Sequence, residues 1–375
     1  MNSTKPYCLM PWIHFHVGDD GIAKACCVAN IPFGDVNTDS FEEIWNGTKI
    51  NQLRSQFKKG ILDKRCAHCY KLEVSGGKSI RQETFEKYPK VNIDNLPIAN
   101  PIYFDIRFSN VCNLKCRTCW HGASSSWFED AKALGTNKGE KAVIKNVHDF
   151  HTFIHKLGPS LLNAKEIYLA GGEPLVTEEH YLLLNWLISH KATKMKLRYN
   201  TNFTKLNYKN TSVLALWKHF ESVEILASID ATKDLGNYIR SGMEWKKIVE
   251  NHSKIKNLPN IHFQFSPTIS VLNVNELPTL INEGMTLNMI TEEDIYINIL
   301  ERPIHYNIQI FSPQEKLAIS RNLLRFLNNT NSTKLQSQIH EILTYMNAID
   351  QSKHWSKFEQ QNKRLDLLRS EKMPC

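Results

Sequence analysis

Cysteines are the residues of this chain whose type and spacing could do chemistry, and they are grouped rather than scattered. Cys112, Cys116 and Cys119 form one tight set, Cys8, Cys26, Cys27, Cys66 and Cys69 precede residue 70, and Cys375 is last. None falls between Cys119 and Cys375, the stretch that carries most of the apolar sequence. Free cysteine packs like a small hydrophobe and would be spread through a core. Clustering is what ligands need, because several sulfurs must reach one metal centre. The three sulfurs at 112, 116 and 119 converge only if their segment loops around the metal, and three ligands leave one coordination position open. For zinc that is a catalytic water site, usually with His or carboxylate among the three ligands. For iron–sulfur chemistry it is a cubane with one iron free to bind something else.

Composition narrows the classes. The chain has 375 residues, 42% apolar and 22% charged, so it should bury a core and is not a disordered chain. Its 46 Lys+Arg against 38 Asp+Glu give +8, spread along the chain in pairs such as Lys58-Lys59, Lys64-Arg65 and Lys246-Lys247. No dense basic stripe or aromatic-interleaved module accompanies them, which argues against nucleic acid as a partner. There is no run of about 18 apolar residues, so no membrane partner is expected. Met1 to Tyr7 lacks a basic patch followed by an apolar stretch, so a cytoplasmic protein is expected. Nine cysteines in such a chain point to metal or redox chemistry rather than to disulfides.

The elements that must position these sulfurs fall into three regions. Residues 1–95 look loop-rich, with turn signals at Gly18-Asp19-Asp20-Gly21, Gly34-Asp35 and Gly76-Gly77, and one helix expected over 40–58. Ser40 is its N-cap, Glu43 stands three residues on, and Phe41, Ile44, Trp45 and Leu53 are its apolar positions. Such a region buries little apolar area alone, and a bound metal centre would help hold it together. A proline-marked linker, 91–101, follows. Residues 101–300 alternate strand and helix, with short buried strands at 102–108, 166–170, 195–199, 223–229, 261–269 and 295–300. That alternation argues for a parallel α/β sheet, open or curled into a barrel. Residues 301–375 read as a helical extension: Ser312-Pro313-Gln314-Glu315 is a capping box before Leu317, Leu323, Leu324 and Phe326, and a last amphipathic helix spans 352–369.

Cys112-Asn-Leu-Lys-Cys116-Arg-Thr-Cys119 directly after the first of these strands resembles the signature of the radical S-adenosylmethionine (SAM) superfamily. Gly171-Gly172-Glu173-Pro174 after the second strand is similar to the family segment that binds the SAM amino group. Asn200 and Asn202 after the third strand, Ser228 before Asp230 after the fourth, and Arg240 in Tyr-Ile-Arg-Ser-Gly continue the likeness in order. Strand ends are where α/β folds place ligand sites. Thr118 departs from the family, which often has an aromatic there; Trp120 follows Cys119 instead. The resemblance implies a partial (β/α)6 TIM-like barrel and a [4Fe–4S] cluster on Cys112, Cys116 and Cys119. It implies SAM as cofactor, with Glu173 toward its ammonium and Arg240 toward its carboxylate.

Cys8-Leu-Met-Pro11-Trp12, the Asp20-Gly21 turn and Cys26 resemble the opening of SPASM and twitch domains, which hold auxiliary iron–sulfur clusters. Cys66-Ala-His-Cys69 completes a four-cysteine set, so one further [4Fe–4S] cluster, twitch-like, is implied. The full SPASM pattern has more cysteines after this pair, and in the best-known members the domain follows the barrel, whereas here it precedes it. Structural zinc remains the competing reading of these four residues, and the spacing from Gly21 favours Cys26 over Cys27. His68 reads as a surface residue, Cys375 as a mobile terminal thiol, and the tryptophans 12, 120, 127, 186, 217 and 245 as packing residues.

The resemblance implies an oxidoreductase that oxidises or crosslinks a peptide or protein, fed by a one-electron reductant such as flavodoxin or ferredoxin. Dehydrogenation or epimerisation of a carbohydrate or other small molecule is the alternative. A reading from another class is a non-catalytic iron–sulfur or zinc protein that binds a partner. Asp105, Arg107 and Tyr199 are the strand residues expected to face a cavity.

Overall fold

The computed structural model describes residues 7–74, 77–93 and 100–374. Cys375, Gly76 of the Gly76-Gly77 turn and most of the linker lie outside the described residues. An eight-stranded sheet organises the molecule: β1 (His14–Val17), β2 (Ile22–Lys24), β3 (Pro32–Asp35), β4 (Tyr103–Ile106), β5 (Glu166–Leu169), β6 (Lys196–Thr201), β7 (Ser222–Ala227) and β8 (Ile261–Phe265). Its spatial order is β8-β7-β6-β5-β4-β1-β2-β3. β4 to β8 are all parallel, joined through helices such as Phe150–Leu161, Glu178–Ser189 and Trp245–Ile255. These strands are short apolar runs because both faces are covered.

Two features depart from the expectation of a barrel. β1, from the cysteine-rich N-terminal segment, pairs in parallel with β4, His14 opposite Tyr103 and Val17 opposite Ile106. The segment therefore extends the central sheet instead of packing as a separate loop-rich body, and β2 and β3 continue it antiparallel. The sixth expected strand, 295–300, is reduced to an Ile295 bridge beside Phe265 and the pair Asn298–Ile299 against Thr268–Ile269. With β1 on the edge of β4 and β8 flanked only by these fragments, no pairing closes the sheet among the described residues.

Helix signals held locally. Ser40 and Glu43 form the expected capping box, but the helix breaks at Asn46-Gly47 into Phe41–Trp45 and Thr48–Lys58. The Ser312 box opens Pro313–Leu327, where Ile319 and Leu323 are buried while Leu317 and Leu324 face outward. No helix among the described residues is long and apolar enough to cross a membrane.

Packing buries His14 and His180 in neutral form. His14 lies against the Tyr103 ring, and burial lowers its pKa from 6.5 to about 4. His180 accepts from or donates to the Tyr199 hydroxyl at 2.9 Å, and burial lowers it from 6.5 to about 3. Between the unfolded and folded values the unfolded chain binds more protons, so acid favours unfolding. Each histidine adds a slope of up to about 1.4 kcal/mol per pH unit. Urea melts of the iron-free chain should lose stability as pH falls from about 6.5 toward 4, and His180→Gln should make that slope measurably shallower, His305 and His252 being lowered by burial too. An unchanged slope in the variant would rule out burial of neutral His180 as its source.

Candidate metal centres

The loop after β4 has little regular structure of its own and is held by specific bonds. Asn110 is fully buried; its amide nitrogen donates to the carbonyls of His121 at 2.9 Å and Ala142 at 3.1 Å, and its oxygen accepts from Ile144 N at 2.8 Å. Ser126 donates to Cys112 O at 2.6 Å, Ser124 to Leu114 O at 2.8 Å, and the Trp127 indole to Cys116 O at 2.7 Å. Lys115–Cys116 pairs antiparallel with Arg240–Ser241. The loop thereby brings Cys112, Cys116 and Cys119 into one electrostatic neighbourhood. Burial raises Cys112 and Cys119 to about 12, and the charge of Cys116 adds to both. Cys116 is also raised by burial, against which the Arg240 guanidinium works. Without metal the three remain thiols, so ligation must release protons.

The expected strand-end residues meet this loop. Gly171 and Gly172 have φ of +81° and +43°, and a Cβ on Gly172 would lie 2.3 Å from Val111 O. The turn is thus pressed against the cysteine loop, and Glu173 N donates to Val111 O at 2.7 Å. Pro174 opens the buried turn Pro174–Val176. The Glu173 carboxylate accepts from Leu175 N at 3.0 Å, the Thr201 hydroxyl at 2.7 Å and Asn202 N at 2.6 Å. Burial raises its pKa to about 7. These bonds make it a brace between the ends of β5 and β6. Asn202 donates to Asn113 Oδ1 at 3.0 Å and lies 3.9 Å from Cys112 Sγ. Ser228 N donates to Thr201 O at 2.7 Å, extending the β6–β7 ladder.

Arg240 is held by Asp230, with Nη2 donating to Oδ1 at 3.0 Å and Nε 2.8 Å from Oδ2, while Nη1 points to Cys116 Sγ at 3.6 Å. Its charge thus acts on a sulfur of the set. Two residues that sequence reasoning left without a role, Asp230 and Thr201, are what fix Arg240 and Glu173. A strand-end Asp or Thr has no signature of its own, so nothing local could have found them.

In the N-terminal segment, Cys26 belongs to a buried apolar cluster with Leu9, Trp12, Ile31 and Phe57, against which Cys8 and Cys66 pack. Cys66 ends the turn Lys64–Cys66 and buried Cys69 sits in the helix Ala67–Val74. Burial raises Cys8 to about 12, and the charges of Cys69 and Cys66 contribute. Cys26 is raised by burial and by Cys27 and Cys8. Cys27 lines a cavity and feels the charge of Cys69, whereas Cys26 is buried and feels that of Cys8. His68 also lines that cavity, 3.5 Å from Glu301.

The cavity, about 720 Å³, has Cys27 in its lining and none of the other described cysteines. Met10, Cys27, Asn200 and Thr268 are among its lining residues. Thr268 N donates to Asp230, the partner of Arg240, at 2.8 Å. Asp105 lines it as expected, 2.9 Å from His16 and 3.3 Å from Arg107. Burial alone would raise Asp105, but Arg107 and His16 hold it well below the usual carboxylate range. Tyr199 does not face the cavity: alternation along β6 turns Arg198 and Asn200 inward and buries Tyr199 against Trp217. Trp12, Trp127 and Trp217 pack in the interior, whereas Trp120 is 58% exposed beside Cys119, because its loop turns outward there.

Among the described residues, no three His, Cys, Asp or Glu side chains are drawn together around a single metal ion. Residues 8–70 match the SPASM iron–sulfur cluster-binding domain. The match begins on Cys8 and closes one residue after Cys69, so it spans the whole N-terminal set. The chain therefore carries an iron–sulfur cluster-binding segment at its N-terminal end. No curated protein matches the chain.

Proposed function

We propose that the chain is a radical SAM enzyme, with a [4Fe–4S] cluster on Cys112, Cys116 and Cys119 and an auxiliary cluster on Cys8, Cys26, Cys66 and Cys69. The observation that carries this is the connection of the strand-end residues to the sulfurs: Glu173 through Asn202 to Cys112, and Asp230 through Arg240 to Cys116. A SPASM-type segment on the same sheet supports it. The donor set fits the group, since three thiols in one loop after a parallel strand leave one coordination position of a cubane open. When bound, the cluster supplies one electron to SAM, giving methionine and a 5′-deoxyadenosyl radical that abstracts hydrogen from substrate.

This chain's own residues orient and enclose. Glu173 and Asn202 keep the turn and the loop in register, and Arg240 stabilises negative charge at Cys116. Substrate bound in the cavity that Cys27 lines, beside Cys26, would lose an electron toward the auxiliary cluster. A peptide or protein, oxidised or crosslinked, is the favoured substrate because SPASM-like segments most often accompany peptide maturation. A carbohydrate or other polar small molecule is the second reading, favoured by Tyr103, Tyr168, Arg198, Asn200 and Asp105 in the cavity lining.

Anaerobic reconstitution should give about eight irons per chain, and a reductant such as flavodoxin or ferredoxin should then yield 5′-deoxyadenosine from SAM. About four irons with zinc would remove the auxiliary cluster. Absence of 5′-deoxyadenosine from a fully loaded chain would remove the enzyme.

A further inference from the structure

Arg117 stands inside the cysteine loop, and its side chain is completely shielded from solvent. Among the described residues, none of the strand-end residues named above bonds its side chain. Nη2 donates to Asp366 at 2.6 Å and to Glu371 at 2.7 Å, Nη1 to Asn362 at 2.9 Å, and Nε to Tyr238 O at 2.9 Å. The guanidinium also lies 3.6 Å from the Tyr238 ring centre. Asp366 and Asn362 belong to the last helix, Trp355–Arg369, and Glu371 follows it. That helix makes a second contact through Arg369, which donates to Lys115 O at 2.8 Å and to Asp130 at 2.8 Å. The Arg369 guanidinium covers the Trp127 ring, whose N–H donates to Cys116 O.

The two contacts fall on Lys115 and Arg117, the immediate neighbours of Cys116. We propose that the C-terminal helix is the clamp that sets the position of Cys116, with Arg117 and Arg369 as positioning residues for the metal centre. The inference rests on the reading that this loop holds a cluster.

The physical reason is preorganisation. An irregular loop must lose conformational freedom before three of its sulfurs can face one centre. A clamp that orders it beforehand removes that loss from the binding step. The clamp is polar, and one buried guanidinium faces two carboxylates, so removing the carboxylates leaves a charge with no counterpart. Bidentate and stacked geometry suits arginine and not lysine. The helix engages the loop by directed bonds, while Phe358 packs in an apolar cluster with Tyr238, Ile239 and Tyr306.

The full-length double variant Asp366→Asn/Glu371→Gln tests this, with Arg369→Gln as an independent variant that leaves Arg117 intact. In the iron-free chain, exchange of the Arg117 and Cys119 amides, bonded to Ile239 O and Cys116 O, should rise about tenfold or more in either variant. Amides of β5 and β6 should keep their protection, which separates loosening of the loop from general unfolding. In the reconstituted chain, iron held by the loop should pass to a chelator about tenfold faster, with a shifted midpoint potential, while auxiliary iron is unaffected. Arg117→Lys should fall between wild type and the double variant.

Unchanged exchange would overturn the clamp. Faster exchange with unchanged iron release and potential would overturn its role at the metal centre. If Cys116→Ala removed no iron from the wild-type chain, the cluster reading itself would fall, and the positioning role with it. That failure is recognisable because the exchange response does not depend on iron.

Discussion

Cys116→Ala lowers bound iron from about eight to about four per chain and brings 5′-deoxyadenosine formation down to the uncatalysed background. The effect is large because the site has three sulfurs and no reserve. Cys112, Cys116 and Cys119 stand on a loop whose other side chains are engaged: Asn110, Ser124 and Ser126 on backbone carbonyls, and Trp127 on Cys116 O. Cys116 is also the sulfur that Arg240 contacts, so its loss leaves that guanidinium to its pairing with Asp230. The N-terminal set stands on other elements and should retain its iron. Iron analysis and product chromatography check both halves. Retained SAM cleavage would sink the assignment of Cys116. A non-catalytic binding protein would lose the iron without ever having formed 5′-deoxyadenosine.

Gly172→Ala destabilises the chain by about 3 kcal/mol and loosens the cysteine loop. Two costs combine. At φ +43° an alanine adopts a backbone conformation that L side chains disfavour. Its Cβ would also meet Val111 O at 2.3 Å and Asn110 C at 2.7 Å, both backbone atoms of the loop, with no flexible side chain to move aside. Gly135 supplies the comparison, with φ +67° and nothing within 4 Å of an added Cβ. Gly135→Ala should therefore cost only about 1 kcal/mol, the conformational part alone. Equal urea midpoints for the two variants would show that the turn does not press on the loop.

The local signals were legible because they are local. Capping boxes at Ser40 and Ser312, short apolar runs for β4 to β8, and the turn glycines at 171 and 172 depend on residues within a few positions of one another. The break at Asn46-Gly47 and the outward Leu317 and Leu324 were not legible, since helix direction and exposed face depend on what packs beside them. The same holds for Tyr199. Both faces of a buried parallel strand are apolar enough that composition does not say which residue turns toward a cavity.

The amino-acid sequence by itself determined the chemistry on offer: two groups of cysteines, their spacing, and their order relative to strand ends. Those are properties of residue type and short separation. Only the tertiary structure decided how they are used. It joined β1 to β4 and so placed the N-terminal set on the central sheet. It sent Cys26 into the apolar cluster with Cys8 and Cys66 and turned Cys27 to the cavity. It set Arg240 on Cys116, braced Glu173 with Thr201, and enclosed Arg117 with Asp366 and Glu371. Bonds between residues hundreds of positions apart follow from how sheet and helices pack, and such packing has no short-range signature.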